Sequence, residues 1–274
     1  MSSTSEIRLP TLLSLLRKLP FPRKLGAMEK VFGSALSQRG RGWVSTASGI
    51  DWILDMGEET HRWIVYGMYE GGLGIRYAQQ CLKDGGVYCD SGANVGQWLL
   101  YIAPMSGVNS YAFEPVSGQF QWLSECLGRY SDWNVKMIHS GLGEADAEVM
   151  VQVDGPRSTV NLEWFAGKDL PQEKIQIRRL EDVLREHDVE EVAFWKLDVE
   201  GHEPHALLGA GEYIAERRIQ NIFFECHPDN LTRNREILTS HGYTLSRVTA
   251  DGVRPFTENS ISATRDLLAR PASQ

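Results

Sequence analysis

The chain has 274 residues, 42% hydrophobic and 23% charged, enough to bury a full core in one embellished α/β domain or two small ones and unlike a disordered or fibrous sequence. Its net charge of −8 argues against a nucleic-acid partner, because phosphate binding draws on clustered Lys and Arg, and suits a neutral or cationic small ligand better. Cys81, Cys89, Cys126 and Cys226 form no CxxC pair and no repeated spacing, so neither a zinc site nor a disulfide framework is expected; they read as reduced thiols of a cytoplasmic protein.

Residues 1–42 alternate Leu-rich turns with Pro10, Pro20, Pro22 and basic residues, which predicts an N-terminal helical extension of one or two short helices, set off by Gly40 and Gly42. The charges follow the apolar run and no small-residue cleavage site comes after it, so it does not read as a signal peptide. No apolar run approaches the roughly 20 residues that span a bilayer. Two uses stay open for the extension: docking on the main domain, or contact with a membrane surface through Arg17, Lys18, Arg23 and Lys24. Residues 43–274 are expected to form that main domain. Its first part, Trp43 to Tyr69, is dense in aromatics, with Gly57-Glu58-Glu59-Thr60 read as a turn between two β-rich runs; it suits a hairpin capping a pocket or a simple aromatic core.

From Val87 onward buried strands alternate with helical stretches, the mark of βαβ units and a parallel sheet. Strands are predicted at 87–90, 109–114, 135–139, 192–198 and 219–225, with a late one at 243–249. Helices are predicted near 94–103, 117–129, 180–187, 203–217 and 231–241. Residues 148–153 alternate and open an excursion through Asp154-Gly155-Pro156 that reaches about Lys174, a place for pocket-shaping segments.

Two stretches carry chemistry. Asp90-Ser91-Gly92-Ala93-Asn94-Val95-Gly96 follows a strand and precedes a helix, where a nucleotide-type cofactor sits in a doubly wound sheet. The dinucleotide fingerprint G-x-G-x-x-G is absent: Gly92 and Gly96 stand four apart, with an acid before them that would repel a pyrophosphate and suit an amine or sulfonium. Glu114, 18 residues beyond Gly96, ends the next strand, where a carboxylate can accept ribose hydroxyls. The second stretch is Lys196-Leu197-Asp198-Val199-Glu200-Gly201-His202-Glu203-Pro204. Alternation puts Lys196, Asp198 and Glu200 on one side at a strand's C-terminal end, while Pro204 opens a helix and Glu203 complements its dipole. His202 is a candidate general base and His227, on the next strand's rim beside Glu225, the runner-up. Asp198, Glu200 and His202 could alternatively ligate a divalent metal, but the site is read without one.

These residues, with Phe113-Glu114-Pro115, Leu208-Gly209-Ala210, Phe224-Glu225 and the lead-in His61-Arg62, Tyr66-Gly67 and Tyr69-Glu70, resemble the FkbM family of S-adenosylmethionine-dependent methyltransferases over roughly residues 50 to 250. The resemblance implies an α/β class I Rossmann-like methyltransferase fold, with a mostly parallel seven-stranded sheet and helices on both faces. It implies O-methylation of a hydroxyl on a polyketide, sugar, glycan or other secondary metabolite. By position, Asp90, Gly92, Asn94 and Gly96 would surround the methionine part of S-adenosylmethionine and Glu114 its ribose, while Asp198, Glu200 and His202 would face the methyl and the acceptor. Ser91 departs from the family's usual aliphatic residue. A nicotinamide oxidoreductase on a similar sheet and a non-catalytic scaffold of the same fold are the alternatives, and a homo-oligomer stays open.

Overall fold

The computed structural model describes residues 4–153, 170–257 and 266–272. The chain divides into two compact units, Met1–Gly72 with Glu125–Tyr130, and Leu73–Ser124 with Ser131–Gln274.

In the first unit α1 (Thr11–Leu16) and α2 (Lys24–Ser37) precede a hairpin of β1 (Arg41–Ser45) and β2 (Asp51–Asp55), then α3 (Glu59–Val65). The hairpin turns at Thr46, whose hydroxyl accepts the Ile50 N–H and whose own N–H donates to the Ile50 carbonyl. The turn expected at Gly57–Thr60 is instead the entry to α3: Asp55 Oδ1 caps the Gly57 N–H, and Arg62 one turn on donates to the Met56 and Gly57 carbonyls. Arg62 also reaches Glu29 of α2 at 2.7 Å, and Tyr66 donates to the same carboxylate at 3.0 Å. The lead-in motif is therefore the internal tie of this unit. Leu13, Leu36, Trp52, Ile53 and Tyr66 form its core, so Trp52 and Tyr66 among the aromatics are packing residues.

The second unit runs α4 (Leu73–Cys81), β3 (Gly86–Ser91), α5 (Leu99–Ile102), β4 (Val108–Phe113), α6 (Ser117–Leu127), β5 (Val135–Ile138), β6 (Gly141–Leu142), β7 (Ala147–Gln152) and β8 (Gln172–Arg178). It continues through α7 (Leu180–Glu186), β9 (Phe194–Leu197), α8 (Glu203–Gly209), α9 (Gly211–Ala215), β10 (Ile222–Glu225), α10 (Leu231–Ser240), β11 (Tyr243–Thr249), β12 (Gly252–Pro255) and β13 (Asp266–Pro271). The main sheet has the order β12-β11-β13-β10-β9-β3-β4-β5. Strands β3, β4, β5, β9 and β10 are parallel; β13 is antiparallel to both β10 and β11, so β11 runs with the parallel set. The sheet thus has eight strands where seven were expected, because β12 folds back on β11 as an added edge.

Residue alternation assigns the two faces. Cys89, Trp195, Ile222, Phe224 and Leu267 pack with Leu180, Val183, Leu207, Tyr213 and Leu238 of α7 to α10. On the opposite face Phe194 meets Tyr88, Tyr77 of α4 and Trp98, each with ring centroids about 6 Å away. A second sheet, β6-β8-β7, closes on Val116, Val151, Ile175 and Ile177. The excursion around Asp154-Gly155-Pro156 lies outside the described residues. No helix of the described residues is long and apolar enough to cross a membrane.

Candidate active site

Strand order reverses at β3: the chain leaves it for β4 and β5 on one side and returns to β9 and β10 on the other. Ligands of open α/β sheets bind in the crevice beyond the strand ends at such a switch point, and both sequence stretches end there. The register pairs Asp90 with Lys196 on neighbouring strands. Lys196 Nζ lies 3.4 Å from Asp90 and 3.5 Å from Asp198, and donates to the Gly92 carbonyl at 2.8 Å. Asp90 is 1% exposed, with the Lys196 ammonium and the Tyr88 side chain as its polar neighbours. Burial, partly offset by Lys196, pushes its pKa up.

The turn after β3 is left-handed at Gly92 (φ 73°), Asn94 (φ 51°) and Gly96 (φ 96°), which is why the helix expected from 94 starts only at Leu99. It folds onto Glu114: Glu114 Oε2 accepts the Asn94 N–H at 2.7 Å and Oε1 the Val116 N–H at 2.9 Å. Burial raises Glu114 to about 7 despite those donors. Ser91, the departure from the family pattern, accepts the buried Trp195 indole N–H at 2.8 Å.

Beyond β9 the chain makes a second left-handed turn through Glu200 (φ 51°) and Gly201 (φ 93°). Glu203, 1% exposed, clamps it by accepting the Val199 and Gly201 N–H groups at 3.2 and 3.1 Å. Asn230 donates to the Gly201 carbonyl at 2.7 Å and ties this turn to the one after β10. The result brings Asp198, Glu200 and Glu225 together, with one oxygen of each within 4.8 Å of the others. Carboxylates that close can share a proton or hold a divalent cation. Burial, then the charges of Asp198 and Glu225, raises Glu200 to about 8. Asp266, paired with Glu225 across β13, is raised as well, by burial and then Asp198.

His202 is not in that cluster. It stacks on His205 at 4.5 Å and backs onto Gly143, and burial lowers it to about 4. His227 stands half-buried where the turn after β10 enters Pro228–Asn230. Glu225 joins the acids beyond β9 because β10 runs parallel beside it and ends at the same level, a signal the sequence carries in the carboxylate that closes this strand. Asp266 had none, since its place depends on a pairing with residues some forty positions earlier. The Leu208-Gly209-Ala210 motif has a packing origin: a Cβ on Gly209 would lie 1.9 Å from the Gly143 carbonyl oxygen.

A mostly parallel sheet with one reversed inner strand, a glycine turn at the switch point and an acid ending the adjacent strand define a Rossmann-like fold of the class I methyltransferase type. The Methyltransferase FkbM domain matches residues 90–245, more than half of the chain, and the chain belongs to that family. A curated relative, the AMB antimetabolite synthetase AmbE of Pseudomonas aeruginosa, is 26% identical over 204 residues, which cover 58% of this chain and 10% of that protein. The chain thus spans about a tenth of the length of that relative. Among solved structures, the magnesium protoporphyrin IX methyltransferase ChlM of Synechocystis PCC 6803 with bound SAM is 14% identical, covering 93% of this chain and 100% of its own at a TM-score of 0.43. A precorrin-6y C5,15-methyltransferase of Geobacter metallireducens GS-15 is 12% identical, covering 72% and 86% at a TM-score of 0.40.

Proposed function

We propose that this chain is an S-adenosylmethionine-dependent O-methyltransferase whose acceptor is a hydroxyl of a small molecule: a polyketide, a sugar or glycan, or another secondary metabolite. The observation that carries the reading is the meeting, at the sheet's switch point, of the glycine turn with Asp90 and of the three rim carboxylates Asp198, Glu200 and Glu225. The residues fit the cofactor. Asp90, buried beside Lys196, places a carboxylate at the turn where a positive ligand would sit, and Gly92, Asn94 and Gly96 line the turn with backbone. Each oxygen of Glu114 uses one lone pair on a backbone N–H and retains another for a ribose hydroxyl.

When bound, S-adenosylmethionine supplies an electrophilic methyl group on a positively charged sulfur. The chain's own work is to align the acceptor and take its proton. Glu200, raised to about 8 by burial and by the charges of Asp198 and Glu225, is the group that receives the hydroxyl proton, with His227 after the neighbouring strand as the second acceptor. His202, held neutral against His205, supports the turn that presents Glu200. The likeness to part of an antimetabolite synthetase favours the secondary-metabolite class of acceptor.

The test is a mass-spectrometric screen of hydroxylated natural products, sugars and glycans for a product heavier by one CH₂, alongside calorimetry with S-adenosylmethionine and with NAD. Glu200→Gln should lower turnover about 10²- to 10⁴-fold while cofactor affinity stays within about twofold. Binding of NAD in place of S-adenosylmethionine would overturn the cofactor assignment; methylation at nitrogen or carbon would overturn the acceptor.

A further inference from the structure

The first 42 residues carry eight Lys and Arg against two Asp and Glu, a net +6 in a chain of net −8, so the remainder carries −14. One of the two acids, Glu29, is already engaged by Arg62 and Tyr66. Within this basic stretch Leu12, Leu15 and Leu19 are 57%, 62% and 53% exposed, and Val31 67%. At positions i, i+3 and i+7 the three leucines form one narrow stripe along α1 and the turn that follows it. Leu13 lies on the opposite, buried side. Lys18, Arg23 and Lys30 are exposed in the same stretch.

Exposed leucines in one stripe cost free energy in water unless something covers them. A charge excess opposite to that of the rest of the chain selects what does. We propose that the N-terminal helices form a docking surface for an anionic membrane, the leucine stripe entering the boundary between headgroups and acyl chains while Lys18, Arg23 and Lys30 meet acidic headgroups. This is the division of labour in helices that lie on bilayers, where apolar insertion and basic residues act together. Each basic residue brought to such a surface raises binding about fivefold. The attachment is peripheral and reversible, and it is independent of the reaction assigned to the second unit.

The experiment is co-sedimentation of the full chain with vesicles of phosphatidylcholine plus phosphatidylserine, and with phosphatidylcholine alone, at low and high salt. The chain should pellet with the mixed vesicles at low salt, at least tenfold less with neutral vesicles, and progressively less as salt rises. Replacing Leu12, Leu15 and Leu19 together by Ser should abolish pelleting with the thermal midpoint unchanged, since all three are exposed. Lys18→Glu with Arg23→Glu should weaken it at least tenfold. Absence of pelleting with mixed vesicles, equal pelleting with neutral ones, or pelleting indifferent to the leucine changes would each overturn the proposal. Self-association in light scattering without vesicles, lost in the triple variant, would overturn it too and make the stripe an interface with a second copy.

Discussion

A Cβ atom on Gly92 would lie 2.0 Å from the backbone oxygen of Asp198. The glycine turn and the rim acid are thus in backbone contact, and no side-chain adjustment can relieve a clash with a carbonyl. Gly92→Ala adds the cost of a left-handed φ to that of overpacking, so a loss of about 2 to 5 kcal/mol is expected. Urea unfolding measures it; a midpoint equal to that of the parent chain would show that the β3 and β9 ends are not coupled in this way.

Ser91 and Trp195 give a second expectation. Ser91→Ala leaves the buried indole N–H without its acceptor and should cost about 1 to 3 kcal/mol. In a Trp195→Phe background the same change should cost much less, because the donor is gone. A double-mutant cycle with no coupling would remove the bond from the account.

Glu200 sets a pH dependence. Its pKa in the folded chain is raised from 4.5 to about 8, so protonation favours the folded state: the stabilisation is complete below pH 4.5 and is lost as pH rises through about 8. Glu200→Gln, which keeps the uncharged shape, should match the parent chain at pH 5 and exceed it in thermal midpoint above pH 8. If Glu200 also accepts the acceptor's proton, turnover should rise with pH to a midpoint near 8 in the parent chain only. A flat stability difference across that range would contradict the shift.

The histidines act in the opposite direction. His61 and His202 are both lowered from 6.5 to about 4 by burial, so the unfolded chain binds protons that the folded chain refuses. Stability should be full above pH 6.5 and fall as pH drops through about 4. His202→Gln should remove part of this acid sensitivity without touching that of His61, which accepts the Asp55 N–H at 3.0 Å inside the first unit. Equal acid sensitivity in the two chains would assign the effect elsewhere.

The sheet's parallel strands were legible because Val87–Asp90, Asn109–Glu114 and Val192–Asp198 are short apolar runs that end in charge, and each falls within two residues of the observed strand. Helix ends were less so. The helix expected from 94 loses its first turns to the left-handed Asn94 and Gly96, and the one expected over 203–217 breaks between Gly209 and Gly211. Periodicity cannot register either feature. The alternation at 148–153 marks β7, but β6, β8 and β13 leave no such local pattern, because they are defined by pairing with segments distant in sequence. In the site, Asp198 and Glu200 were visible as charges ending an apolar strand. The separation of His202 from them was not, since it depends on a turn in which Glu200 takes a positive φ and Glu203 folds back to clamp it.

The two margins of the large sheet bear on how copies of this chain can meet. One margin is β5, four residues long with Lys136 in it; the other is β12, also four residues, carrying Arg254 and ending in Pro255. Short length, a charged side chain and a residue with no N–H to donate are the features that stop an open edge from templating a neighbour. Growth of the large sheet from molecule to molecule is thereby opposed at both ends.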